Sequence, residues 1–309
     1  MKINKCGYII GALMLVLGLH SCQKTETVDG GERYPILFGS AETRAEAGLD
    51  DLKEDGFKVY AFIQGNAGSS SFEKEVTYTA SQNVWGYKPL EYWIPSTTYY
   101  FKAFYPAAPT AGTLTVYNTT KEQNFTITDF DVKNHQQDIL IASASCSVPA
   151  GGTSPASGSV VNLSFDHILA NIEIKIKSAI NGLTINKVTI GNTITKGDYS
   201  AETDVWTSTE TGTGNIEYSS GTSLTANADF KPVTGDGILV IPTSPAGKTL
   251  IIEASNNKKY EVNFPASPTW EKGTKYSYTL EIKQSNIIFN EPDVEEWDSE
   301  NATGSVIIK

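Results

Sequence analysis

At 309 residues with a formal net charge of −11, the chain has room for two domains of ordinary size or one large β-domain. Its acidity disfavours nucleic acid and anionic lipid as partners, because such a surface has little to offer in displacing phosphate counterions, although acidity is also a common device for solubility. Only 19% of residues are charged, while Thr, Ser, Tyr, Asn and Gly are plentiful, a balance that favours short strands joined by turns over helices.

The N-terminus carries Lys2 and Lys5, an apolar run from Tyr8 to Leu19, and then Leu19-His20-Ser21-Cys22. A basic start, an apolar middle and a small-residue end are the three regions of a secretory signal, here residues 1–21. The apolar run is roughly a dozen residues, against about 20 for a spanning helix. Cysteine directly after Leu-His-Ser resembles a bacterial lipobox, which would make Cys22 an acylated N-terminus. Each buried methylene of such a chain contributes about 0.8 kcal/mol of anchoring. An ordinary signal peptide followed by an incidental cysteine is the alternative. Removing residues 1–21 leaves 22 Lys+Arg against 35 Asp+Glu, a net charge of −13. Three cysteines are present, Cys6, Cys22 and Cys146. One body cysteine excludes a disulfide within the body, so Cys146 is expected to be a small buried side chain.

Residues 23–35 read as a polar tether. The short apolar segment Ile36-Leu37-Phe38-Gly39-Ser40 follows, and then a polar stretch holding Thr43-Arg44-Ala45. Leu49–Glu54 is expected to form one or two helical turns, stopped at Gly56. From Phe57 the period becomes two, with apolar groups on both faces, as in a strand sandwiched inside a core. Glu75–Thr79 is a further strand. The aromatic block from Trp85 to Tyr105, ended by Pro106, either fills a core or forms a stacking platform for sugars; the alternation of Tyr99 and Phe101 with Tyr100 and Lys102 favours the core. Leu114–Tyr117, Phe125–Ile127 and Asp138–Ser147 continue the series.

Pro149–Gly158 is ten small residues with three glycines and two prolines, which places a linker at 151–159 between an N-terminal sandwich over 45–150 and a C-terminal one over 160–309. In Ile172–Lys177 the isoleucines alternate with Glu173, Lys175 and Lys177, the pattern of a half-solvated antiparallel strand. Strands follow at Thr184–Ile190, Gly237–Ile241, Thr249–Ala254, Tyr260–Phe264 and Tyr276–Ile282, with a hairpin turn at Asn256-Asn257. The Gly/Thr-rich stretch 192–232 reads as a long loop. The fold class is all-β, two successive β-sandwiches.

Convergent catalytic groups are few. His135 and His167 lie in no metal-ligand spacing, and the nucleophile-elbow, P-loop and dinucleotide-binding glycine patterns are missing. These residues argue against an enzyme and imply no cofactor and no metal.

Ser164-Phe165-Asp166-His167-Ile168-Leu169-Ala170-Asn171-Ile172 resembles the F-x-H-x-L-A strand that opens the second domain of fimbrillin-like proteins. Trp270-Glu271-Lys272-Gly273, continued by Tyr276, Tyr278 and Leu280, resembles their late W-x-x-G-x-x-Y-x-Y-x-L element. Asp138-Ile139-Leu140 and the aromatic block also fit. The resemblance implies two tandem transthyretin-like β-sandwich domains and a subunit of a type V pilus, exported as a lipoprotein to the outer membrane surface and the fimbrium. It further implies that Cys22 is acylated and that segment 22–44 is lost when an arginine-specific protease cuts between Arg44 and Ala45. The expelled leader strand would be Ile36, Leu37 and Phe38. A neighbouring pilin subunit's strand would fill the gap, with Val306, Ile307 and Ile308 as the candidate donor; a plain last strand of the chain's own domain suits that tail equally. The competing reading is a monomeric surface lipoprotein binding glycans through rings of Trp85–Tyr105 or Trp206.

Overall fold

The computed structural model describes residues 4–5, 27–28, 31–39, 42–43, 46–65, 68–118, 123–210, 213–283 and 287–297. Cys22, Arg44, Ala45, Val306, Ile307 and Ile308 lie outside them. The described residues form strands throughout, with one α-helix, Glu46–Asp55. That helix stops where the sequence says it should. Gly56 takes a φ of 72°, its amide donates to the Leu52 carbonyl at 2.8 Å, and an added Cβ would meet the Val76 carbonyl oxygen at 2.5 Å. Only glycine enters such a position without strain.

The largest sheet runs in the order Glu42–Thr43, Ser164–His167, Leu140–Val148, Thr97–Tyr105, Phe57–Gly65, Gly68–Thr79, Val84–Gly86, with Asn4–Lys5 added in parallel beside Ala144 and Ser145. Its strands carry apolar side chains on both faces because each face has its own core. Phe57, Val59, Ala61, Phe101, Ala103 and Ala142 point into one core. Phe104 and Ile141 point into the other, where Phe104 meets Phe125 edge-on with ring centroids 5.3 Å apart. This is the physical meaning of the two-sided alternation read from Phe57 onward.

The second half pairs two further sheets. Leu183–Thr193 lies between Gly214–Leu224 and Thr249–Ala254, which continues to Lys259–Asn263 through the expected turn, with Asn257 at a φ of 58°. Facing them, Ala170–Ser178 pairs in parallel with Thr274–Ile282 and antiparallel with Ile238–Val240. The sequence reading of Ile172–Lys177 as a half-solvated antiparallel strand is therefore corrected. Ile172, Ile174 and Ile176 do face the core, but Glu173 is buried on the other face, where Lys175 (2.8 Å) and Lys275 (3.6 Å) compensate its charge. A strict alternation records which residues share a face and says nothing of what covers the polar side.

The stretch 192–232 is not a loop. Lys196–Ser200 and Val205–Ser208 complete a four-stranded sheet begun by Thr113–Asn118 and Gln123–Asp131, and Gly214–Leu224 supplies an edge strand. That four-stranded sheet thus draws strands from both sides of the 151–159 segment. So do the first sheet, where Ser164–His167 pairs with Leu140–Val148, and a separate two-stranded sheet, where Val160–Val161 pairs with Leu37–Phe38. From Ile168 onward the buried hydrophobic side chains belong to the second core alone.

Cys146 is buried as expected, but it is disulfide-bonded rather than a free thiol.

Candidate functional site

The segment 34–39 threads between two parts of the fold that are far apart in sequence. On one side the Ile36 amide donates to the Glu91 carbonyl at 2.8 Å, and the Trp93 amide donates to the Tyr34 carbonyl at 3.1 Å. On the other, Leu37 and Phe38 pair in parallel with Val160 and Val161, the Leu37 amide donating to Ser159 (3.0 Å) and the Gly39 amide to Val161 (2.9 Å). The Tyr87 hydroxyl closes the remaining position by donating to the Ile36 carbonyl at 2.8 Å. Successive backbone groups thus find partners on alternate sides, as a strand inside a sheet requires.

The side chains are as fully engaged. Ile36 and Phe38 are 0% and 1% exposed and belong to the first core. The Phe38 ring packs 5.4 Å from Tyr87 and, edge-on, 5.8 Å from Phe101 of the main sheet, centroid to centroid. Gly39 lets the backbone come close to the 160–162 segment: a Cβ there would lie 2.7 Å from Val160 Cγ1 and 2.3 Å from Asn162 Oδ1. Burying Ile36, Leu37 and Phe38 is worth roughly 1.5–3 kcal/mol each, an upper range because unfolded chains already bury some surface. A few residues further on, Glu42–Thr43 adds a second parallel contact, beside Ser164–Phe165 at the edge of the main sheet. The small sheet covering this part of the core has two strands, Leu37–Phe38 and Val160–Val161, so losing the first would leave its partner unpaired and strip cover from Phe101, Tyr87 and Val161.

The family profile of fimbrillin-like proteins matches residues 43–297. The chain belongs to the fimbrillin-like family. Among solved structures, this fimbrillin-like chain is similar to a fimbrial protein from Bacteroides vulgatus, at 18% identity and a TM-score of 0.60, covering 86% of this chain and 99% of that one. It is also similar to a candidate cell adhesion protein from Bacteroides uniformis, at 20% identity and a TM-score of 0.55, with coverage of 88% and 100%. At such identities the likeness establishes the fold. No curated protein matches the sequence.

Both family motifs sit at structural joints of this fimbrillin-like protein. His167 is buried, its Nδ1 2.6 Å from Asp138 and its ring stacked on Trp297 at 3.8 Å. Asp138-Ile139-Leu140 and the F-x-H strand, read as separate motifs, are thereby one contact. In the late motif, the Trp270 indole donates to the Tyr278 hydroxyl at 2.9 Å, and the Tyr276 hydroxyl to the Thr269 carbonyl at 2.6 Å. Burial pushes the Tyr278 hydroxyl up to about 12, so it stays a neutral partner across the physiological range.

Most of the rings proposed for glycan stacking are turned inward, with Tyr92 and Tyr100 only partly buried. Trp85, Trp93, Tyr99 and Phe101 are buried in the first core. Trp206 is half-buried, packed between Phe130 (5.3 Å) and Tyr199 (5.2 Å), and its indole donates to the Ile168 carbonyl at 2.7 Å. His135 is exposed while His167 is buried. No described helix is long and apolar enough to cross a membrane, and no described group of three His, Cys, Asp or Glu is arranged to hold a metal ion.

Sequence reasoning singled out Ile36–Phe38 by its apolar character. It missed the seat: neither Glu91–Trp93 nor Ser159–Val161 carries a local signal that marks it as a partner of residues 34–39.

Proposed function

We propose that this chain is a structural or accessory subunit of a type V pilus that supports adhesion, and that it polymerises by strand exchange. The precursor is exported as a lipoprotein, acylated at Cys22 and held at the outer membrane. An arginine-specific protease then cuts between Arg44 and Ala45. Segment 22–44 leaves, and a strand of a neighbouring pilin subunit, with Val306–Ile308 as the candidate donor, takes the vacated seat. Because donor and seat are different surfaces, such contacts propagate head-to-tail as a filament.

The observation that supports this most is the burial of Ile36–Phe38, with backbone partners on both sides of the segment. A tether that served only to reach the membrane would have no reason to supply core side chains. The buried rings of the Trp85–Tyr105 block weigh against the glycan-binding alternative.

The test is to treat the purified full chain with an arginine-specific endopeptidase and follow mass by light scattering. Cleavage at Arg44 should convert monomers to polymers, and deleting residues 304–309 should leave cleaved monomers. A chain cut at Arg44 that loses its leader and stays monomeric at high concentration would refute the strand-exchange reading.

A further inference from the structure

Arginine occurs twice in the chain, at Arg33 and Arg44, on either side of the seated strand. Residues 45–309 hold 19 lysines and no arginine. This is not for want of places where a guanidinium would serve. Glu173 sits between Lys175 and Lys275, Lys187 reaches Glu217 (3.5 Å) and Glu253 (3.3 Å), and Lys74 pairs with Glu91 at 2.7 Å. A planar five-donor fork is well suited to carboxylates of this kind, yet the body meets each with an ammonium. The charge is kept and the guanidinium is avoided, so a protease that reads guanidinium finds its targets only around residues 34–39.

Arg33 is exposed. The contacts that seat the strand begin one residue later, with the Tyr34 carbonyl, and run to Gly39. Severing the Arg33–Tyr34 bond therefore breaks none of them. It removes only the covalent link to residues 22–33.

We propose that Arg33 is a second cleavage site, cut by the same class of arginine-specific endopeptidase, and that the two cuts have different products. This rests on the reading of Arg44 as the maturation site. Water adds across the Arg33–Tyr34 peptide bond, leaving a carboxylate on Arg33 and an amine on Tyr34. Cutting at Arg33 alone sheds a subunit that starts at Tyr34, with its strand still seated: closed, monomeric and unanchored. Cutting at Arg44 alone opens the seat while the strand stays on the lipid tether. Both cuts free the peptide 34–44 from membrane and subunit alike. Release from the membrane and opening of the seat become separate events.

The experiment uses the acylated full chain in neutral phosphatidylcholine vesicles, wild type and Arg44→Gln, treated with a purified arginine-specific endopeptidase. Products are read by intact mass and by vesicle flotation. The Arg44→Gln chain should yield a single body fragment, 34–309, which loses vesicle association and remains monomeric; Arg33→Gln/Arg44→Gln should stay whole. Intact mass alone decides the point even where acylation is incomplete. An Arg44→Gln chain that remains uncut while wild type is cut at Arg44 overturns this inference and leaves the maturation reading standing. Cleavage at Arg33 in both chains with Arg44 untouched would uphold the second site and defeat the maturation reading instead.

Discussion

The Tyr87 hydroxyl donates to the carbonyl of Ile36 across 2.8 Å, joining the aromatic block to a segment 51 residues upstream. Burial pushes the Tyr87 hydroxyl well above the ordinary phenol range, so it remains a protonated donor at any pH the protein would meet. The same oxygen accepts from the Glu91 amide at 3.2 Å, and Glu91 in turn holds the Ile36 amide. Tyr87 and Glu91 thus grip both backbone polar groups of Ile36.

Replacing Tyr87 with Phe leaves the Ile36 carbonyl without this donor, a loss of about 1–3 kcal/mol for a buried group. Thermal unfolding should show a larger penalty in the uncut chain than in a chain lacking residues 22–44, where only the weaker Glu91 contact is lost. Equal penalties in both forms would mean the bond does not hold the leader.

Phe38→Ala removes a buried ring between Tyr87 and Phe101 and should cost about 3–5 kcal/mol in the uncut chain. In the chain freed of its leader the same substitution is physically absent. Urea midpoints of the uncut mutant should therefore approach those of the leader-free wild type; a mutant as stable as the uncut wild type contradicts the packing role of this ring.

Trp206 ties the sheet of 113–131 and 196–208 to the start of the second sheet pair through the Ile168 carbonyl. Trp206→Ala should destabilise the chain by about 3–5 kcal/mol. Trp206→Phe keeps most of the packing and loses the hydrogen bond, for about 1 kcal/mol. Chemical denaturation resolves the two, and an alanine variant of unchanged stability would mark the ring as a surface feature.

Burial by itself would raise the pKa of Glu173, but hydrogen bonds from Lys175 and Ser277 and the charges of Lys275 and Lys175 outweigh it and hold the carboxyl below its ordinary range. A carboxyl whose folded pKa is depressed stabilises the fold above the unfolded value, about 4.3, and that contribution disappears as pH falls through the folded pKa. Asp204 behaves alike, held down chiefly by hydrogen bonds from Lys272 and Tyr199 against its own burial. Urea midpoints should thus fall more steeply in wild type than in Glu173→Gln as pH drops from about 5 toward 3. Parallel curves would show that Glu173 is not ionised in the folded protein.

Local patterns in the sequence determined what local physics controls. Gly56 ends the helix because only glycine accepts that backbone, Asn257 turns the late hairpin, and Ile172, Ile174 and Ile176 share a core face because strands alternate. The apolar character of Ile36–Phe38 marked it as a segment out of place in a tether. Threonine- and glycine-rich composition misled at 192–232, where cross-strand partners rather than intrinsic preference make Lys196–Ser200, Val205–Ser208 and Gly214–Leu224 into strands.

Only the tertiary structure decided who pairs with whom. A two-residue period records faces and is silent about neighbours, so the parallel union of Ala170–Ser178 with Thr274–Ile282 could not be read from either strand. The same holds for the seat of residues 34–39, which join Glu91–Trp93 to Ser159–Val161 by lying between them. Strand order is fixed by the closing of both cores at once, and no stretch of sequence contains both sides of that contact.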